Sequence, residues 1–267
     1  MTIQPVGNRT PLFCVHPIGG NVLCYADLAR HLGREQPFYG LQSLGLNEKQ
    51  APLTRIEDMA FHYIQSLQSI QPQGPYQIAG WSLGGVVAFE MAQQLYQQGH
   101  EVALLALIDC YAPITNNMPQ EIDEALLVAS VVKDLGGIFG KDISVLVDEL
   151  QPLIFEDKVN HILDQAKKVN ILPSEFGLQQ MQQLLQVFQA NLMAKYKYIP
   201  KPYTGRITLF CSSEQILEGT KAPEFGWSKL VTDDLEIHEI PGNHYTILQE
   251  PYVQVLAEYL GYYLKGI

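Results

Sequence analysis

Gly80-Trp81-Ser82-Leu83-Gly84 is the stretch on which the reading of this 267-residue chain turns. Before it, Tyr76-Gln77-Ile78-Ala79 reads as a short buried strand. After it, Val87, Ala88, Met91, Ala92 and Leu95 recur at helical spacing. A serine between strand and helix in a G-x-S-x-G frame matches the nucleophile elbow, where small neighbours let the chain turn sharply and the hydroxyl projects from the sheet. The same turn leaves a helix N-terminus, with its free N–H groups, beside the reacting atom. A plain glycine-rich turn is the bland alternative; the strand–turn–helix context favours Ser82 as a nucleophile.

A serine hydroxyl attacks only when a base takes its proton, and an acid usually orients that base. In this motif class the chain order is serine, acid, histidine. Only His238 and His244 fall late in the sequence. Leu235-Glu236-Ile237-His238-Glu239-Ile240 alternates like a strand, which predicts His238 facing out with the charges. His244 follows in the loop Pro241-Gly242-Asn243-His244-Tyr245, at a strand's C-terminal end, where open α/β sheets place their chemistry. His16 precedes the serine and reads as a loop-shaping residue.

Two carboxylates are placed to serve as the acid. The apolar run Val102–Ile108 reads as a strand buried on both faces and Asp109 ends it. The 27 residues from Ser82 to Asp109 are what one helix and one strand consume. Glu214 lies three residues past the next strand, Ile207–Cys211, with a loop through Gly219 and Pro223 beyond it. For the oxyanion, the backbone N–H of Leu83 is one expected donor. Ile18 is the other, in His16-Pro17-Ile18-Gly19-Gly20 after the first strand, Pro11–Val15.

Strand and helix patterns alternate along the chain, the signature of a mostly parallel sheet with helices on both faces. Helices are expected around Tyr25–Leu32, over Ile56–Leu67 and at the C-terminal end, with a strand at Phe38–Leu41. From about residue 116 to 200 the strand signal stops. Helical patterns over Glu121–Leu135, Lys158–Val169 and Leu178–Lys197 fill the gap, separated by Gly136-Gly137 and Ile171-Leu172-Pro173. A helical block inserted between strands predicts a lid over the sheet's C-terminal edge. The polar residues of Lys158–Lys168 and Gln179–Gln189 read as solvated faces. Leu127, Val131, Leu163, Leu184, Leu185, Phe188 and Leu192 are left to pack the lid or line an acyl channel.

Composition fits one α/β domain: 47% hydrophobic residues and a formal net charge of −11. That charge argues against nucleic acid or an anionic membrane as partner. Cys14, Cys24, Cys110 and Cys211 show no metal-ligand spacing and suit buried positions in a reducing compartment, so no metal is expected. The first residues carry no basic-then-apolar signal pattern, and no run is long enough to span a membrane, which predicts a cytoplasmic protein.

Together these pieces resemble the thioesterase domains that terminate nonribosomal peptide and polyketide synthases, within the α/β-hydrolase superfamily. The matching stretches are Pro11–Gly20, Gly74–Gly85, Leu107-Ile108-Asp109, Tyr203–Phe210 and Pro241–Thr246, in family order over almost the whole chain. Trp81 before the serine and Leu83-Gly84-Gly85 after it look more like the integrated terminal domains than the stand-alone editing thioesterases. The resemblance implies an α/β-hydrolase fold and assigns the acid to Asp109. It further implies a substrate delivered on the phosphopantetheine arm of an upstream acyl or peptidyl carrier protein domain, no resident cofactor, and release by hydrolysis or macrocyclisation. The leader Met1–Thr10 would then be a linker remnant. A stand-alone editing thioesterase and a general serine esterase share the chemistry; a catalytically dead binding module would share only the fold.

Helices that cap a cavity exchange their amides faster than strands inside a sheet. Hydrogen exchange is therefore expected to be faster across the 116–200 block than in Tyr76–Trp81 and Val102–Ile108. Equal protection would make the block a fixed structural layer.

Overall fold

The computed structural model describes residues 1–47, 50–113, 122–141, 143, 146–217, 224–232 and 234–265. The N-terminal half builds β1 (Thr2–Gln4), β2 (Leu12–Val15), α1 (Ala26–Leu32), β3 (Phe38–Leu41), α2 (Ile56–Ile70), β4 (Tyr76–Trp81), α3 (Leu83–Gln97) and β5 (Val102–Ile108). Four helices follow, α4 (Glu124–Ile138), α5 (Val147–Leu150), α6 (Phe155–Lys168) and α7 (Leu178–Lys197). The chain then forms β6 (Ile207–Ser212), α8 (Ser213–Leu217), β7 (Leu235–Ile240) and α9 (Tyr252–Leu264). The seven strands lie in the order β1-β3-β2-β4-β5-β6-β7, all parallel except β1, which runs antiparallel to β3. This is the expected α/β-hydrolase architecture. Among the described residues, no helix is long and apolar enough to cross a membrane.

Strand periodicity divides the core. Phe13, Val15, Ile78, Leu105, Leu107 and Leu209 face α2 and α3, while Leu12, Cys14, Ala79, Leu104, Ala106 and Phe210 face α1 and α9. Both sets are buried, which is why the strands read as continuous apolar runs. Register then sets the site. Trp81 pairs with Ile108, and Ile108 with Phe210, so the residues that follow, Ser82 and Asp109, emerge side by side at the carboxyl edge.

The inserted helices build a core of their own from Leu127, Val131 and Val132 of α4, Ile162 and Leu163 of α6, and Met181, Leu185 and Phe188 of α7. Leu184 and Leu192 are only half-buried. The expected start of the lid near Asn116 and of its first helix at Glu121 lie outside the described residues.

Four expectations change. The leader is not all linker, because Thr2–Gln4 adds a strand to the sheet and Gln4 Nε2 donates to Gly33 O and Gln36 O. Gly136-Gly137 does not separate helices but lies inside α4. A Cβ on Gly137 would sit 2.5 Å from the Tyr245 ring, so glycine there admits close helix–loop packing. Lys158 is not solvated: it is buried, and its Nζ donates to Leu153 O at 2.6 Å and pairs with Glu124. His238 lies beside a charge, Glu236, at 3.3 Å but does not face out to solvent. It packs against Phe210, Tyr259 and Tyr263 and bonds the Tyr263 hydroxyl, while Ile237 takes the exposed face of this edge strand.

Gly137→Ala is expected to lower unfolding free energy by about 1–3 kcal/mol through overpacking on Tyr245. Gly261→Ala in α9, whose Cβ would meet only Leu32 Cδ2 at 3.8 Å, is expected to raise it by about 0.5–1 kcal/mol. Urea denaturation of the pair is the check, and a neutral Gly137→Ala would mean α4 is not held on that loop.

Candidate active site

Ser82 occupies φ 56° and ψ −123°, a backbone region that costs a non-glycine residue about 1–3 kcal/mol. Its surroundings over-determine it. Ser82 N–H donates to Ile108 O at 3.0 Å, and Gly85 N–H donates to Ser82 O at 3.1 Å. A Cβ on Gly80 would lie 2.1 Å from Gly84 C, and one on Gly84 would lie 2.3 Å from Val15 O. The two motif glycines are thus a steric requirement, since strand and helix touch through bare backbone. Leu83 is the first residue of α3, where a backbone N–H has no acceptor within the helix.

Asp109 is fully buried and also has positive φ, 44°. Its own N–H donates to Phe210 O at 2.7 Å. Its Oδ1 accepts from Ser212 N–H at 2.7 Å, and its Oδ2 meets His244 Nδ1 at 2.6 Å. Glu214 lies in the first turn of α8 with an exposed side chain and does not reach the imidazole. The His244 loop is stapled by Asn243, whose Oδ1 accepts from the N–H groups of Tyr245 and Thr246 at 3.1 and 3.0 Å. The Trp81 indole stacks near the His244 ring, centroids 5.0 Å apart, and donates to His244 O at 2.9 Å. The residue before Ser82 therefore places the histidine.

The loop after β2 is held as tightly. The Pro17 carbonyl accepts from Gly20 N–H at 2.9 Å and from His16 Nδ1 at 2.7 Å. In a trans peptide the N–H points opposite to the C=O, so anchoring Pro17 O aims the Ile18 N–H away from His16. Asn191 of α7 donates to Ile18 O at 2.8 Å. With Nδ1 donating, His16 Nε2 accepts from the Tyr63 hydroxyl at 2.7 Å. Burial pushes the His16 pKa down to about 4, against a smaller upward pull from Pro17 O. His16 is thus a neutral brace. Cys110 lies under Gly85, and burial pushes its thiol up to about 12, which makes it filler.

A cavity of about 200 Å³ lined by Leu23, Cys24, Trp81, Ile138, Phe139 and Tyr245 opens beside the histidine. It shares Leu23, Cys24, Ile138 and Phe139 with a cavity of about 410 Å³ that continues past Leu46 to Phe176 and Leu184. The lid thus lines an apolar groove that leads from the sheet edge.

The profile of the thioesterase domain family matches residues 10–261. The chain belongs to that family. Over 96% of its length it is 32% identical to a dimodular nonribosomal peptide synthase of Bacillus subtilis (strain 168). It is 35% identical, over 72% of its length, to the malpinin synthetase of Mortierella alpina. It spans 10% and 2% of those two proteins. A crystal structure of a four-domain nonribosomal peptide synthetase bound to AMP and glycine superposes with TM-score 0.90 and 32% identity, over 97% of this chain and 20% of that one. The thioesterase domain of NocB, from the nocardicin cluster, shares the fold at TM-score 0.71 and 24% identity, over 100% of this chain and 98% of that one.

Sequence reasoning on this thioesterase domain missed Tyr25, Tyr63, Asn191 and Asp134. Tyr25 OH donates to Val15 O at 2.6 Å and accepts from Trp81 N–H at 2.9 Å, tying two strand ends together. None carries a local pattern. Only Asp134 leaves a trace, as a lone acid among Val131, Val132 and Leu135.

Folded His16 takes a proton only near pH 4, whereas in the unfolded chain it does so near 6.5. The unfolded state therefore binds more protons between those values, and stability falls with pH. Between pH 7 and pH 5 the natural protein is expected to lose about 2 kcal/mol more than His16→Gln. Asp134, raised by burial, titrates in the opposite sense but alike in both proteins. Denaturant titrations at the two pH values read the difference; parallel losses would show that His16 is not held neutral.

Proposed function

We propose that this domain releases an acyl or peptidyl chain from the phosphopantetheine arm of a carrier protein through an ester on Ser82. The observation that carries the reading is the 2.6 Å contact between His244 Nδ1 and the buried Asp109 carboxylate, at the same sheet edge as the strained serine. Asp109 keeps the Nδ1 proton in place, which leaves Nε2 free to take the Ser82 proton. As that proton leaves, Ser82 Oγ bonds to the thioester carbonyl carbon. The negative charge passes to the carbonyl oxygen, which the N–H groups of Ile18 and Leu83 receive. Collapse of this intermediate breaks the C–S bond, and His244 returns the proton to the departing thiolate.

In the second half-reaction His244 deprotonates the incoming nucleophile, and the ester oxygen leaves as Ser82. Water yields a free acid; a hydroxyl or amine of the chain itself yields a ring. The apolar groove that the lid lines suits an acyl chain. An upstream carrier domain is supported by the relatives, in which the matching segment is a small part of a long synthetase. Thioesters lack amide resonance, so this modest set of groups suffices for acylation.

A fluorophosphonate probe is expected to label Ser82, and Ser82→Ala to lose labelling and turnover while its circular dichroism stays unchanged. Asp109→Asn is expected to lower turnover by ~10⁴ through the wrong imidazole tautomer. Glu214→Gln is expected to stay near the natural rate. Reversal of the last two results would move the acid to Glu214, and full activity in Ser82→Ala would remove the covalent reading.

A further inference from the structure

One titratable side chain at the sheet edge has no part in the chemistry above. Asp134 projects from α4 and is only 8% exposed, yet among the described residues its carboxylate has neither a hydrogen bond nor an ion pair. Its Oδ2 lies 3.1 Å from where a Cβ on Gly19 would sit, so it stands over the Ile18-Gly19 turn. Burial pushes the carboxyl up to about 6, and the charge of the His244 imidazole pulls it partly back. The Tyr245 hydroxyl and the Cys24 thiol feel the same charge.

The lid does not need this group to fold. Val128, Val131 and Val132 pack α4 against its neighbours. Where the lid buries a charge for its own structure, it supplies partners, as for Lys158 with Glu124 and Leu153 O. An unpaired carboxylate in such a place is destabilising by several kcal/mol. It is also adverse to the reaction, because a second negative charge close to the forming oxyanion opposes it. A donor from the substrate lying between the two offsets part of each penalty.

The acyl-Ser82 reading places such a donor. With the carbonyl carbon on Ser82 Oγ and its oxygen at the Ile18 and Leu83 N–H groups, the neighbouring carbon is carried next to the Ile18-Gly19 turn, over which Asp134 stands. A nitrogen on that carbon is roughly 2.5 Å from the carbonyl carbon. We infer that Asp134 is a specificity residue whose carboxylate accepts a hydrogen bond from an N–H on the carbon next to the thioester carbonyl, so that the domain selects aminoacyl or peptidyl thioesters over plain acyl chains. The inference rests on the proposed acyl-enzyme chemistry and adds the substrate class to it.

The test compares kcat/KM for two N-acetylcysteamine thioesters, N-acetylleucyl and 4-methylpentanoyl, which differ only in the acylated nitrogen. The natural protein is expected to favour the first by at least tenfold. In Asp134→Leu the ratio is expected to fall close to one. Asp134→Asn, which keeps an acceptor oxygen and the side-chain shape, is expected to lower the ratio at least threefold, and it carries the test if the leucine variant does not fold. No preference in the natural protein, an unchanged ratio in the variants, or an equal loss on both thioesters would each overturn the inference. If the natural protein hydrolyses neither thioester and forms no ester on Ser82, the acyl-enzyme reading itself fails.

Discussion

The bond between Asp109 and His244 joins residues 135 positions apart and closes the carboxyl edge of the sheet. A carboxylate with no exposure must be paired or it destabilises the fold. Asp109 meets that demand with the Ser212 N–H from β6 on one oxygen and the imidazole on the other, while its own N–H bonds Phe210 O. One side chain thus ties β5, β6 and the loop after β7 into a fixed arrangement. Its position beside Ser82 follows from strand register, because Trp81 and Ile108 are paired and Ser82 and Asp109 are the residues that follow them.

Buried polar groups extend this frame across the whole edge. Tyr25 joins the ends of β2 and β4 through Val15 O and Trp81 N–H. His16 braces Pro17 O from one side and Tyr63 from the other. Each supplies a partner for backbone groups that a strand end would otherwise leave unpaired in the core. The outcome is that the loop after β2 and the His244 loop have backbones fixed by their own hydrogen bonds.

The lid is tied to the same two loops. Asn191 bonds Ile18 O, Ile18 packs into both the sheet core and the lid core, and Gly137 lies on the Tyr245 ring. A shift of α4 or α7 therefore reaches the Ile18 loop and the His244 loop through direct contacts. A glycine pair that reads as a helix break is here the means of close approach between a lid helix and the site.

Local pattern was enough for the sheet. Apolar runs, the glycine frame around Ser82 and the turn chemistry of Pro241–Tyr245 are all short-range signals, and they led to an α/β sheet with the serine and histidine at one edge. Asp109 and Glu214 stood as rivals in sequence because each follows a strand, and only the three-dimensional pairing brings one of them to the imidazole. The same limit explains Lys158, His238 and Asp134. Whether a polar side chain is solvated or buried depends on what another segment lays over it, and periodicity within one helix or strand carries no record of that. Leu184 and Leu185 stand side by side on α7, one toward the groove and the other in the lid core, because the position of α4 and the loop after β2 decides which face is lined. Sequence alone determined the layers and the chemistry-bearing turns; tertiary packing alone decided the partners, since a buried charge or hydrogen bond is settled by atoms distant in the chain.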